Sequence, residues 1–105
     1  VRSGQTLRHT GNVTVLGDVN PGAEIVAGGD IVVWGRLRGT VHAGYVSNPS
    51  AVVCALEFAP SQLRIANLVT RPADTDGKRQ RGPEVAYVAD NDIVVQPWDS
   101  VHKGA

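Results

Sequence analysis

Apolar residues return at every sixth position from the start of this chain: Val1, Leu7, Val13, Val19, Ile25, Ile31, Leu37 and Ala43. Only 42% of the residues are hydrophobic, so an unbroken series at one phase is a strong constraint on the fold. Small residues recur two places ahead of the series, at Gly11, Gly17, Ala23, Gly29 and Gly35. A shift of 18 residues lays Gly11 on Gly29, Asn12 on Asp30, Val13 on Ile31, Val15 on Val33, Gly17 on Gly35 and Val19 on Leu37. Each six-residue unit holds a strand of about four residues and a corner. Alternation along the strand turns Val13 and Val15 to the same side, and likewise Ile31 and Val33. Glycine at the corners allows the tight bend. A single coil of this kind cannot bury its own inward face, so the stack is the folding unit. The spacing predicts an all-β single domain, a β-helix of triangular cross-section with about 18 residues per coil. Each buried valine or isoleucine contributes roughly 1.5–3 kcal/mol. An antiparallel sandwich would explain the alternation but has no need of the longer period.

Beyond the repeat, Ser47-Asn48-Pro49-Ser50 reads as a loop, and "AVVCALEF" (residues 51–58) as a longer strand. "QLRIANLV" (residues 62–69) continues with Leu63 and Ile65 on one face and Arg64 on the other, and a helix over 61–69 fits the spacing as well. Residues 71–83 are polar and turn-rich, a surface excursion. Val85, Tyr87 and Ala89 alternate as a strand, residues 89–92 turn, "IVVQPW" returns, and residues 99–105 form a loose tail, which leaves 1–98 as the domain. Twelve glycines and six prolines, with no methionine even at position 1, suit a strand-and-turn domain cut from a longer protein.

Ten basic and ten acidic residues cancel, so no broad field attracts nucleic acid or an anionic membrane, and five aromatic residues offer little for base stacking. No apolar run is long enough to span a bilayer. A lone cysteine, Cys54, cannot form an internal disulfide, which favours a reducing compartment and an inert, buried thiol. His9, His42 and His102 are scattered without metal-ligand spacing, so no metal or other cofactor is expected. His42 invites comparison with hexapeptide-repeat acyltransferases, whose catalytic histidine lies between coils. Their repeats carry a small residue just after the apolar position, whereas Arg2, Arg8, Thr14, Asn20, Val26, Val32 and Arg38 stand there in this chain. Arg36 and Arg38 flank Leu37 and, with Arg2 and Arg8, put guanidinium groups on the outer wall, suited to an acidic partner segment. Lys78, Arg79 and Arg81 read as a solvated loop.

Several stretches together resemble one family. They are "VRSGQ" (residues 1–5), "PGAEIVAGGDIVVWGRLRG" (21–39), Ala43-Gly44, Ile65-Ala66 and "IVVQP" (93–97). The combination is similar to the C-terminal domain of the MinC septum-site determining proteins, which inhibit bacterial cell division. The resemblance implies a right-handed triangular β-helix that dimerises through one face and has no enzymatic role. It implies cytoplasmic residence, with membrane contact only through the ATP-bound partner MinD. It also implies a share in blocking assembly of FtsZ away from mid-cell, and alternating copolymers with MinD. Carried over by position, the MinD contacts fall on Arg2, Ser3, Gly4, Gln5 and Gly22, and the contact with the FtsZ tail on Arg38 and Gly39. Leu56, Leu63 and Ile65 are the candidates for the dimer surface, in an isologous two-fold contact. A self-polymerising module resembling bactofilins is the alternative to this reading.

Overall fold

The computed structural model describes residues 1–70 and 82–98. In chain order the strands are β1 (Thr6–His9), β2 (Val13–Leu16), β3 (Glu24–Ala27), β4 (Ile31–Leu37) and β5 (Thr40–Ala43), then β6 (Val53–Phe58), β7 (Gln62–Ile65), β8 (Leu68–Thr70), β9 (Glu84–Ala89) and β10 (Asp92–Pro97). Odd strands climb one wall in the order β1-β3-β5-β7, all parallel, with β8 folded back at the top. Even strands climb a second wall, β2-β4-β6, also parallel, which β9 and β10 continue antiparallel. Short rungs make the third wall. Val19 bridges Leu37, Leu37 pairs with Phe58, and Asn20 donates its amide to the Val1 carbonyl at 2.9 Å. The chain is thus a three-sided column of stacked β-coils.

Alternation decides what fills the column. Val19, Ile25, Ile31, Leu37, Val41, Val53, Leu63 and Ile65 are all 0% exposed and belong to one interior cluster. At the corners the strand ladder lapses, and short polar side chains bond the next coil instead. Asn12 Oδ1 accepts the Asp30 amide at 2.8 Å, Asp30 Oδ1 accepts the Val52 amide at 3.0 Å, and Asp18 Oδ1 accepts the Arg36 amide at 2.8 Å. The match of Asn12 with Asp30 across 18 residues is therefore a matched pair of caps.

The coils are not all of one length. The first step is 18 residues on every wall: Leu7 lies beside Ile25, Val13 beside Ile31 and Val19 beside Leu37. The second step shortens to 16 on the odd wall, Ile25 to Val41, and lengthens to 22 on the even wall, Ile31 to Val53. A cramped corner at Gly39 removes two residues, and the loop between β5 and β6 adds several. Ala43 is inward but lies two places past the residue paired with Ile25, so the six-residue count ends at Leu37. Leu7 also departs from the expectation of burial. It is 39% exposed because β1 is the edge strand of its wall among the described residues.

Residues 62–69 form neither one strand nor a helix. Ala66, at φ 55°, turns the chain between β7 and β8, which pair antiparallel. The turn at Asp90 and Asn91, at φ 54° and 63°, stands where it was expected. Antiparallel β8, β9 and β10 close the top, where Val88, Ile93 and Val95 pack on the interior. The expected polar excursion lies outside the described residues apart from Gly82 and Pro83, and the 99–105 tail lies wholly outside them.

Candidate functional site

One edge of the column gathers most of the residues singled out by sequence. Arg2-Ser3-Gly4-Gln5 is a tight turn, with the Gln5 amide donating to the Arg2 carbonyl at 3.0 Å and Gly4 at φ 86°. The Gln5 side chain closes it, its Oε1 accepting the Arg2 amide at 2.7 Å. Asn20-Pro21-Gly22-Ala23 repeats the turn one coil up, with Ala23 donating to Asn20 at 3.0 Å and Gly22 at φ 87°. Positive φ at the third place is the requirement of a type II turn, and proline at the second suits it. The two turns are bonded together, Gly4 N–H to Gly22 C=O at 3.0 Å and Glu24 N–H to Gln5 C=O at 2.9 Å. A side chain at Gly22 would collide with Ser3. Arg2, Ser3 and Gly22 are exposed together on this edge as a consequence.

The third rung is Arg38-Gly39. Arg38 donates its amide to Val19 C=O at 2.9 Å, and Thr40 donates to Ala23 C=O at 3.0 Å. A Cβ on Gly39 would stand 2.6 Å from the Ala23 carbonyl oxygen and 2.8 Å from that of Asn20. Glycine alone fits, and this is the corner that shortens the coil. Leu37 points inward while Arg36 and Arg38 point out, as their flanking positions implied. Arg36 Nε lies 3.6 Å from Glu57 Oε1 with both side chains 55% exposed, a surface pair of about 0–1 kcal/mol. Neither Arg2 nor Arg38 has a carboxylate partner among the described residues.

The dimer candidates divide. Leu56 is at the surface, 36% exposed. Leu63 and Ile65 are 0% exposed inside the column, and this corrects their assignment to an outer face. They occupy inward positions of β7, level with Val41 and Ala43, and no partner can reach them while the coil is closed. The apolar outer face belongs to the even wall. Leu16 is 84% exposed, Trp34 62% and Trp98 40%, and Leu16 and Trp34 are register neighbours. A cavity of ≈ 330 Å³ lies between Val32, Trp34, Cys54, Leu56 and Trp98. Sequence reading missed Leu16, Trp34 and Trp98. For Leu16 and Trp34 the signal was present in "VTVL" and "IVVW", where an apolar residue also stands on the outward face of the strand.

Cys54 is half-buried on that outer face, since Val53 and Ala55 take the interior, and burial pushes its thiol pKa up. His42 stands on the outer side of β5. Its Nε2 donates to the Ala66 carbonyl at 2.9 Å and its ring meets Tyr45 edge-on, with centroids 5.3 Å apart. Among the described residues no three His, Cys, Asp or Glu side chains gather as metal ligands. No helix among them is long and apolar enough to cross a membrane.

Comparison with known proteins agrees with this geometry. The family model "Septum formation inhibitor MinC, C-terminal domain" matches residues 1–98. The "Probable septum site-determining protein MinC" of Heliobacterium modesticaldum is 50% identical over 98 residues, covering 93% of this chain and 34% of that protein. The protein of the same name from Gloeobacter violaceus is 56% identical over 93 residues, covering 89% of this chain and 33% of its own. This chain therefore spans about a third of the length of these curated relatives. Among solved structures, a chain of the "MinC:MinD cell division protein complex" from Aquifex aeolicus superposes with TM-score 0.87 at 41% identity, covering 92% of this chain and 80% of that one.

Proposed function

The chain belongs to the family of MinC septum formation inhibitors, as their C-terminal domain, and from that premise we propose that it is a docking module that pairs with a second copy of itself and binds ATP-loaded MinD. The observation that carries the MinD contact is the pair of stacked turns at Arg2–Gln5 and Asn20–Ala23. They hold Arg2, Ser3 and Gly22 on one rigid edge, where the Arg2 guanidinium has no carboxylate partner among the described residues and suits one from a partner protein. The Aquifex aeolicus chain with the same fold belongs to a MinC:MinD cell division protein complex, which supports the reading. Binding MinD would bring the domain to the inner face of the membrane indirectly. The FtsZ tail contact falls to Arg38 and Gly39, one rung above the MinD turns. A paired domain offers two such edges, enough to alternate with MinD in a copolymer.

Arg2→Ala is expected to weaken ATP-dependent co-sedimentation with MinD on vesicles at least tenfold, a loss of about 1.4 kcal/mol or more. Its far-UV circular dichroism melt should match that of the parent chain. Co-sedimentation unchanged by this substitution, or by Ser3→Ala, would remove the turn ladder from the MinD surface.

The second copy belongs on the even wall. Leu16, Trp34, Leu56 and Trp98 expose contiguous apolar surface, the usual mark of an interface. Trp34→Glu is expected to convert a dimer to a monomer in sedimentation equilibrium, because tryptophan at an interface centre commonly carries about 2 kcal/mol or more. A dimer that survives Trp34→Glu and Leu16→Glu together pairs through another wall. Growth into filaments without MinD would favour the self-polymerising alternative.

A further inference from the structure

The corner where the odd wall turns into the even wall carries a loop that neither the turn ladder nor the apolar wall uses. It covers residues 44–52, after β5, and holds no charged side chain. Three of its first four residues have positive φ: Gly44 at 62°, Val46 at 72° and Ser47 at 70°. A β-branched residue is strained in that conformation, so the bonds around it must impose it. Gly44 donates its amide to the Gly29 carbonyl at 3.1 Å and Tyr45 to the Ala27 carbonyl at 2.9 Å, which pin the loop to the coil below. Asn48 donates back to the Gly44 carbonyl at 2.9 Å, and its Oδ1 accepts the Ser50 amide at 3.1 Å, which closes the loop on itself. The braced backbone holds apolar surface out in water: Val46 is 81% exposed and Tyr45 beside it 47%.

Cations flank this tip. The groove over Val26 is lined by Arg8, His9, Tyr45 and Val46 together. Arg8, Val26, His42 and Arg64 form one outward row across β1, β3, β5 and β7. Arg8 and Arg64 are exposed, and neither has a carboxylate partner among the described residues. His9 Nδ1 accepts the Gly11 amide at 2.9 Å, so the neutral ring carries its proton on Nε2, a further donor. Acids are set apart. Glu24 is the sole acid on these four strands and begins β3, at the end away from the loop. Asp30, in the same corner as the loop, has its Oδ1 on the Val52 amide at 3.0 Å.

We infer that this tip is a direct membrane contact, in which Val46 and Tyr45 enter the interfacial layer of an anionic bilayer while Arg8, His9 and Arg64 face its phosphates. A tyrosine ring, apolar in body and polar at its end, suits the headgroup level. An anionic lipid surface attracts cations over a short range, so a local cluster suffices although the net charge of the chain is zero. A peptide ligand would favour a recessed apolar pocket, whereas Val46 projects. One short apolar tip with a few cations makes a weak contact by itself. It gains when a second attachment holds the domain near the bilayer. That attachment is the proposed MinD contact, the only point at which the inference rests on that reading. The turn ladder lies at the opposite end of the odd strands, four residues or about 13 Å away, so neither contact covers the other.

Vesicle sedimentation without MinD tests the lipid contact separately from the MinD contact. The chain is mixed with vesicles of phosphatidylglycerol and phosphatidylcholine in equal parts, or of phosphatidylcholine alone. Partition onto the mixed vesicles is expected to exceed that onto the neutral ones at least tenfold and to fall steeply with salt. Arg8→Glu should reduce it at least tenfold. Val46→Gly, which relieves the backbone strain but removes the isopropyl group, should reduce it at least threefold, and Val46→Trp should raise it at least threefold. Arg36→Glu, the same change of charge on the third wall, should leave it within twofold. Thermal melts of each variant separate loss of binding from loss of fold. Equal partition onto both kinds of vesicle, a loss on Arg36→Glu matching that on Arg8→Glu, indifference to both substitutions of Val46, or release by excess glycerol phosphate would overturn the inference.

Discussion

Ile31→Asp is expected to abolish the cooperative thermal transition of this domain. Ile31 is 0% exposed, stacked between Val13 below and Val53 above, with its amide bonded to the Val52 carbonyl at 3.0 Å. The substitution forfeits roughly 1.5–3 kcal/mol of side-chain burial. It also puts a carboxylate among valines and leucines with no donor facing it, at a further cost of several kcal/mol. A domain of this size has only about 5–15 kcal/mol in total. The coils share one interior, so water admitted at one level opens its neighbours, and the loss is global. Thr14→Asp, on the exposed side of the neighbouring strand, is the contrast and should change stability by no more than about 0.5 kcal/mol. Circular dichroism melts of the two variants decide it. An Ile31→Asp chain that melts cooperatively near the parent temperature would mean that the inward face has been assigned to the wrong side.

Gly28→Ala is the second large effect, and it tests the spacing between coils. The Gly28 amide donates to the His9 carbonyl at 3.0 Å, which holds the second coil down on the first. A Cβ at Gly28 would run into the carbonyl carbon and oxygen of Thr10, which are backbone and cannot rotate away. The methyl group must lift one coil off the other, breaking that hydrogen bond and loosening Ala27 and Ile25 beside it. A loss of about 3 kcal/mol or more is expected, at the upper end of overpacking effects. Gly11→Ala is the control. Its added Cβ would meet only the His9 ring, at 3.4 Å, which is ordinary contact. Urea denaturation should show a near-parental midpoint for Gly11→Ala and a strongly lowered one for Gly28→Ala. Equal midpoints would mean that the corner has slack that the carbonyl contact denies.

The same contrast between local and stacked geometry separates what could be read from the residues from what could not. The inward set from Val13 to Leu37 was legible because alternation along a strand is a property of the strand itself, and the 18-residue step repeats on all three walls of the first coil. The residues of the turns at Arg2–Gln5 and Asn20–Ala23 entered only through the family resemblance, and it is the structure that shows a glycine of positive φ at the third place of each. Leu63 and Ile65 show where local reading fell short. Alternation put them on one face, but nothing in "QLRIANLV" said that this face closes the column while Leu56 looks out. That depends on which coil lies beneath them, and the register of that coil is set by the short corner at Gly39 and the long loop after Gly44, both distant in sequence. The apolar wall of Leu16, Trp34, Leu56 and Trp98 and the groove over Val26 arise in the same way. Their members lie one coil or more apart in the chain and share a surface only through stacking. Sequence alone determined the coil and its inward lining, because each follows from neighbours along the chain. The tertiary structure decided which outer side chains stand together, because that is fixed by contacts between coils whose lengths differ.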